Sequence, residues 1–449
     1  MSEMELLQSS NELEKLIVDH RKTSEQRNYF GGETGKTFIP KLLAEHIMEE
    51  EHFWNDGIIL YRYEKGVYRE VNDFAIRKRC VDLLGDRFKK AYGDEVAHFI
   101  KVETYQENVV ANSDTTYINI KNGLLEWETR KLHPHTFEYF STIQLPIKYN
   151  PKAIGLNIEG FLRNVVPEDT IPMIYEWFGY VMLPTTRYEK AVMLTGDGSN
   201  GKSKFIELFE RFIGTANLSN IPLQDLEHNR FKLAQLYGKL ANTFADIPAK
   251  SLEKSSVFKT IVSGDRTSAE FKGKDSFNFK PTARLMFSAN ELPRSADLTP
   301  GFFRRWIIIP FNNKFGPGGI KADPNIMDKI TTEEELSGLL NFALDGLDRL
   351  KKQGHFSLNE STDNMLAKYK LDIDNVATFV DEVCTVSPDV VIEKTHLYRG
   401  YSSWCYNSGY KAVGLIKFYK RIETGFAVSE AKPHGCPRVF RGITINWEK

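Results

Sequence analysis

Cysteine is scarce in this chain: Cys80, Cys384, Cys405 and Cys436 are the only four in 449 residues. None forms a C-x-x-C pair, which argues against a disulfide framework and leaves thiols in a reducing cytoplasm as the simple expectation. His434 and Cys436, taken with Cys384 and Cys405, have spacings that match no common zinc arrangement. No apolar run approaches the ~20 residues that a bilayer span needs. The opening MSEMELLQSSNELEKL is acidic and broken by polar residues, unlike a signal peptide. A dominant charge sign is also missing. The net charge of −1 excludes a globally basic nucleic-acid coat and leaves local basic loops open. Between residues 38 and 151 there is no Asp-x-Asp pair of the sort that holds two metals in a polymerase or primase.

What is present is an ordinary soluble composition, 41% hydrophobic and 27% charged. Its length makes about three domains a fair expectation. The most informative stretch is 191–213, AVMLTGDGSNGKSKFIELFERFI. Residues 191–194 suit one buried strand. Gly196-Asp197-Gly198-Ser199-Asn200-Gly201-Lys202-Ser203 then fits G-x-x-x-x-G-K-[ST] at every fixed position, and Phe205, Ile206, Leu208, Phe209, Phe212 and Ile213 recur at helical spacing. Glycines there let successive N–H groups point inward around phosphate oxygens at a helix N-terminus. Lys202 is expected to reach the β- and γ-phosphates and Ser203 to hold Mg²⁺, so a nucleoside triphosphate, ATP, is the expected ligand. A second glycine-rich segment, Gly31-Gly32-Glu33-Thr34-Gly35-Lys36-Thr37, has the wrong spacing and no preceding apolar strand, and reads as a loop.

The remaining features fall around this one. Residues 57–71 alternate about Gly66 like a β-hairpin, 73–92 look helical, and 115–135 suit strand, turn and strand with Asn122-Gly123 as the turn. Helices over 156–190 lead into the P-loop strand. LANTFAD, 240–246, suits a second strand ending in Asp246, where an acid orients Mg²⁺ or its water; its polar Asn242 and Thr243 leave an ordinary surface Asp equally open. After a helix that ends near Gly264, a hairpin carries Lys272, Gly273 and Lys274. RLMFSAN, 284–290, suits a third buried strand whose terminal Asn290 would align an attacking water. Arg304 and Arg305 stand directly before a fourth apolar strand, from which an arginine would reach a neighbouring subunit's nucleotide. Residues 346–371 resemble a lysine-rich helical connector. The end of the chain suits three helices and a β-hairpin, a winged helix whose terminal strand, 437–447, pairs near 426–429. From 393 to 449 there are ten Lys or Arg against four Glu and no Asp, a local +6 that suits either a nucleic-acid face or a protein-docking module.

In this order the motifs resemble those of the superfamily III helicases, a branch of the AAA+ ATPases, and especially the poxvirus-type primase-helicases with their phage, plasmid and genomic-island counterparts. The matching segments are GDGSNGKS, the acid of NTFAD, VSGD with the lysine hairpin, FSANELP and FFRRWIIIPF; YINIKNGLLEW and QLPIKYNP resemble the family's pre-helicase region. The resemblance implies an α/β fold: a polar tail (1–37), an α+β pre-helicase domain (38–155), an AAA+ P-loop core (156–345), the connector (346–371) and a winged helix (372–449). It also implies a replicative helicase of a phage, plasmid or integrated element in a bacterial cytoplasm. Such a helicase is a ring, hexameric or similar, moving 3′ to 5′ on single-stranded and forked DNA, with origin DNA or host replication proteins as further partners. Lys202, Ser203, Asp246 and Asn290 would serve the subunit's own ATP and Mg²⁺, Arg304 or Arg305, with Arg305 favoured, the neighbour's, and Lys272 and Lys274 the DNA phosphates. Two departures stand out. Asp246 replaces the usual Glu, and Phe271 and Gly273 replace a basic and an aromatic residue. Full-length relatives carry an N-terminal primase module for which this chain has no room, so a helicase without priming activity is expected. An ATP-switched origin initiator is the alternative, and a metabolic P-loop kinase leaves the arginine pair unexplained.

Overall fold

The computed structural model describes residues 27–247, 252, 254–295, 297–410, 412–432 and 437–447. The chain divides into two compact units at Tyr149/Asn150. No helix among the described residues is long and apolar enough to cross a membrane.

In the first unit the alternating stretch is a hairpin, Leu60–Glu64 against Val67–Glu70, with Phe53–Asn55 on its other edge. Lys65 and Gly66 both have positive φ, 49° and 91°, the pattern of the tight turns whose twist suits paired strands. Asn122-Gly123 likewise folds Tyr117–Ile120 onto Gly123–Glu126, and Lys131–His133 adds a third strand. Helices Pro40–Glu50, Asp73–Leu84 and Lys90–Glu103 bury Leu43, Ile47, Ile76, Val96 and Ile100 together. The helical stretch expected over 73–92 is broken at Gly85, the C-cap of the first helix. Residues 31–37 connect a short antiparallel ladder, Phe30 opposite Phe38, and make no strand-to-helix turn.

The second unit is built on a wholly parallel five-stranded sheet. Strands β1 (Ala191–Thr195), β2 (Leu218–Ser219), β3 (Ala241–Phe244), β4 (Arg284–Ala289) and β5 (Trp306–Pro310) lie in the order β2-β3-β4-β1-β5. Every residue of β1, β4 and β5 is buried, as parallel strands covered on both faces require. The polar residues of β3 have a structural cause. Asn242 Oδ1 accepts from Ser219 Oγ and Ile221 N, both at 2.9 Å, and its Nδ2 donates to Ile221 O at 2.9 Å. Side-chain bonds thus extend the pairing with the two-residue β2. Thr243 Oγ1 donates to Glu210 Oε1 at 2.6 Å.

Helices α1 (Leu156–Val165), α2 (Ile171–Met182), α3 (Lys202–Ile213), α4 (Ser256–Ser263), α5 (Glu333–Gln353) and α6 (Glu360–Ile373) surround the sheet. α5 packs on α2 so closely that a Cβ on Gly346 would lie 2.5 Å from the backbone of Tyr175. The fully buried Glu176 of α2 accepts from Arg349 Nε at 2.6 Å and Ser357 N at 2.7 Å. Leu347 and Leu350 are buried too. The start of the expected connector is therefore the end of a packed core helix, because its lysines occupy only the outer face.

The chain ends in α7 (Asn375–Val383), β6 (Cys384–Glu393), α8 (Lys394–Asn407), α9 (Leu415–Gly425), β7 (Ser429–Ala431) and β8 (Val439–Ile445). The strands pair antiparallel in the order β6-β8-β7 over Phe379, Tyr401, Phe418 and Phe440. The three helices and the terminal strand stand where the spacing put them. β6 was not anticipated. Its Pro388 argues against a strand, and the structure accommodates it within an irregularity between Val386 and Val391.

Candidate functional site

Strand register brings the separated motifs to one edge. Thr195, Ala289 and Pro310 lie side by side at the carboxyl ends of β1, β4 and β5, and Phe244 pairs with Phe287. The residues that follow, Gly196, Asp246, Asn290 and Phe311, therefore emerge together into the crevice where open α/β sheets bind ligands. The glycine loop turns there with Gly198, Ser199 and Gly201 at φ of 95°, 48° and 92°. Gly201 opens α3, and a Cβ on it would lie 2.6 Å from Val165 Cγ1, so only glycine fits. Asn200 fixes the loop from within, donating from Nδ2 to Phe311 O at 3.1 Å.

Lys202 is only 5% exposed. Its amine donates to Gly196 O and, at 3.2 Å each, to Asn200 Oδ1 and Asn290 Oδ1. Burial pushes its pKa down, while the Asp246 and Asp197 carboxylates oppose that shift. The structure thus brings Lys202, Asn290 and Asp246 into one electrostatic site. Asp246 takes φ of 51°, and Ser288 Oγ accepts its backbone N–H at 3.1 Å. Ser203, the second residue of α3, is exposed next to the glycine loop. A cleft of about 730 Å³ opens over Gly196, Asp197, Gly198, Asn200 and Asn290.

That cleft has walls that no motif announced. Glu291, Arg294 and Lys314 come from loops after β4 and β5, and Lys368 from α6. α6 is held there by Tyr369, whose buried hydroxyl donates to Pro293 O at 2.7 Å. Helical periodicity alone places Lys368 on a polar face and gives no sign of the cleft.

The arginine pair lies at the opposite end of the sheet, before the first residue of β5. With Arg305 O accepting from Ala191 N at 2.7 Å, it stands roughly 20 Å along the strands from the glycine loop. Arg304 has a side chain 56% exposed; that of Arg305 is 10% exposed. Arg305 Nη2 donates to Ser263 Oγ at 2.6 Å and its Nη1 to Gly301 O. Arg305, favoured for the neighbour's nucleotide because it adjoins the strand, is thus buried within the protomer, whereas Arg304 faces out.

The lysine hairpin is present as Thr267–Glu270 against Ser276–Phe279. Lys272 and Lys274 are exposed at its tip, Gly273 turns at φ of 78°, and Phe271 stacks on Phe277 with centroids 5.0 Å apart. In the C-terminal portion part of the positive charge is spent internally. Lys394 pairs with Glu423 and Glu430, Arg421 with Asp374 and Arg438 with Glu430, while Lys417 and Lys420 of α9 line a cleft against Arg294. Among the described residues no group of three or more His, Cys, Asp or Glu could hold a metal. His434 and Cys436 lie outside the described residues.

Residues 43–167 match the family described as D5 N terminal like, residues 371–444 the poxvirus D5 protein-like family, and residues 194–305 a family of unknown function, DUF5906. The two D5 matches, together with relatives named as helicases, support this chain as a member of a poxvirus D5-like primase-helicase family. This D5-like chain is 29% identical over 167 residues to a candidate helicase of Acanthamoeba polyphaga mimivirus, covering 35% of the chain and 17% of the relative. It is 24% identical over 330 residues to a candidate helicase of Invertebrate iridescent virus 3, covering 65% and 35%. It therefore spans well under half the length of these curated relatives. Its fold is shared with the apo C-terminal region of NrS-1, with a TM-score of 0.54 at 14% identity over 90% of this chain and 98% of that one. A second apo form of that region gives 0.55 at 12% identity.

Proposed function

We propose that this D5-like chain is an ATP-dependent replicative DNA helicase of a phage, plasmid or integrated element, working as a ring that moves 3′ to 5′ on single-stranded DNA. One observation carries the reading: Lys202, Asp246 and Asn290 converge at one end of a β2-β3-β4-β1-β5 sheet, while the exposed Arg304 sits at the other. Strand order and site together fit an AAA+ core. Arg304 is too far from its own glycine loop to serve it, so the nucleotide it meets belongs to another protomer. The antiparallel β6-β8-β7 sheet with α7, α8 and α9 fits a winged helix.

The residues fit ATP with Mg²⁺. The Lys202 amine is held on neutral oxygens in a cradle that a Cβ would fill. The triphosphate-bound Mg²⁺ would neutralise charge on the β- and γ-oxygens. Ser203 and Asp246 would hold that ion, and Lys202 would hold the phosphates. Asn290 would orient the attacking water, with Asp246 in place of the family's usual Glu. Arg304 would supply positive charge to the neighbour's transferring phosphoryl group. Lys272 and Lys274 would contact DNA phosphates, an electrostatic contact weakened by salt.

The test is ATP hydrolysis by the purified chain with and without single-stranded DNA, followed by unwinding of forks tailed at either end. The expected result is DNA-stimulated hydrolysis and unwinding of 3′-tailed forks. Hydrolysis indifferent to DNA would remove the helicase reading. Lys417 and Lys420 on α9 favour a second reading, an ATP-switched origin initiator. Sequence-specific duplex binding without strand displacement would select it.

A further inference from the structure

The loop between α2 and β1, residues 183–190, belongs to no motif, yet it holds both arginines. Glu189, at φ of 48° in a conformation that non-glycine residues seldom adopt, places Oε2 2.6 Å from Arg304 Nη2 and 3.5 Å from Arg305 Nη2. Arg305 in turn donates to Ser263 Oγ at 2.6 Å. Ser263 is the last residue of α4, and its carbonyl accepts from Thr186 Oγ1 of the same loop at 3.2 Å. Gly264 caps the helix at φ of 71°, packed so tightly that a Cβ would lie 2.1 Å from Thr186 Oγ1. Beyond it the chain enters the first strand of the lysine hairpin at Thr267.

We infer that Glu189, Arg305 and Ser263 form a relay that couples Arg304 to the lysine hairpin, with Glu189 and Ser263 as positioning residues. The inference rests on the reading of Arg304 as acting on a neighbour's nucleotide and of Lys272 and Lys274 as gripping DNA. Its physical basis is competition for one carboxylate. With Arg304 docked, Glu189 divides its charge between two guanidinium groups. When Arg304 turns outward to an adjacent triphosphate, Glu189 is left to Arg305 alone. Arg305 has little solvent to compensate, so its hold on Ser263 shifts with it. Phe258, in the first turn of α4, stacks on Trp306 with ring centroids 4.5 Å apart, so the helix and the arginine segment are packed against each other. The hairpin base lies at the arginine end of the sheet, away from the protomer's own glycine loop. The nucleotide that steers each hairpin is thus the one held next door. Contiguous contacts of this kind are the physical route for coupling.

The experiment uses the full chain with ATP and a single-stranded oligonucleotide, comparing wild type with Ser263→Ala, Ser263→Thr and Glu189→Gln. Basal hydrolysis, oligonucleotide binding and melting temperature are measured alongside DNA-stimulated hydrolysis. Ser263→Ala is expected to keep basal hydrolysis and DNA binding while its stimulation by DNA falls by about fivefold, within the range for coupling residues. Ser263→Thr, which retains the hydroxyl, keeps the stimulation, and Glu189→Gln shares the loss. Unchanged stimulation in Ser263→Ala, or a joint fall of basal hydrolysis and melting temperature, overturns the relay. A wild-type chain that ignores DNA would instead overturn the helicase reading and the relay with it.

Discussion

The Lys202 amine lies 3.2 Å from the side-chain oxygen of Asn290, a residue 88 positions away in the chain. A cation from the glycine loop and an amide from the end of β4 thus meet on one spot, and their roles separate by substitution. Lys202→Ala removes the charge that holds phosphates and is expected to abolish nucleotide binding in a titration with a fluorescent ATP analogue. Asn290→Ala removes one acceptor of the Lys202 amine and leaves Gly196 O and Asn200 Oδ1 in place. It is expected to bind nucleotide normally and to lose turnover by about 10²-fold, as loss of a group that acts mainly in the transition state does. Equal losses of binding in both would show that Asn290 serves the cradle alone.

Exposure makes Arg304 the arginine to test for the proposed role in trans. Arg304→Ala is expected to leave nucleotide affinity intact and to cut hydrolysis by about 10³-fold, the lower end for an arginine supplied in trans. Mixing Arg304→Ala with Lys202→Ala chains tests the trans arrangement. Each inactive chain supplies what the other lacks at one interface, so the mixture should recover hydrolysis that neither shows alone. No recovery would place Arg304 outside its neighbour's site.

The legible parts of this molecule were those whose chemistry is local. Residues 191–203 needed only a strand, a glycine turn and a helix, and each has its own sequence pattern. Asp246 was less legible because Asn242 and Thr243 made β3 look polar; both are consumed inside the fold by Ser219, Ile221 and Glu210. The choice between Arg304 and Arg305 was not legible at all. Which of the two is exposed depends on Ser263, inside VSGD, and on Glu189, which lies in no motif, and neither signals that pairing in the sequence. Lys368 was missed for the same reason, since only the docking of α6 through Tyr369 brings it to the cleft.

Arg284 illustrates a stability role that residue type conceals. Its guanidinium is completely buried, and burial pushes its pKa down to about 10. Among the described residues it has no carboxylate partner. Instead it donates to Val181 O at 2.7 Å and to the carbonyls of Leu183, Thr185 and Thr282, closing the C-terminus of α2. Arg284→Met keeps much of the volume and strips several carbonyls of their donors. A loss of about 3 kcal/mol in urea unfolding is expected. A change below about 0.5 kcal/mol, the size of an ordinary surface substitution, would mean that water replaces the guanidinium.

Asp297 gives a prediction with a definite sign. Burial alone would raise its pKa, but hydrogen bonds from Lys259, Ser255 and Thr299 outweigh it and hold the carboxyl far below the usual range. A depressed folded-state pKa means that the stability it contributes is present above the unfolded value and is lost as pH falls through the folded one. Asp297→Asn should therefore lower the urea midpoint at neutral pH. The gap between variant and wild type should begin to close only below about pH 4, the unfolded carboxyl's range. A gap that closes near neutrality would assign the effect to another group.

Salt dependence tests the hairpin more directly than affinity does. Lys272 and Lys274 stand exposed at the tip, Lys274 lies 5.6 Å from the Phe271 ring centroid, and among the described residues neither amine pairs with a carboxylate. If each neutralises one phosphate of a single strand, the double substitution Lys272→Ala/Lys274→Ala removes two counterion-releasing contacts. The slope of log affinity against log salt should then become shallower by about 1.4, from roughly 0.7 per contact. A structural contribution from the hairpin would behave differently, weakening binding by the same factor at every salt concentration and leaving the slope alone. Binding titrations with an unstructured oligonucleotide across a tenfold range of salt separate the two outcomes. An unchanged slope would place the DNA elsewhere on the protein, whatever the variant does to hydrolysis.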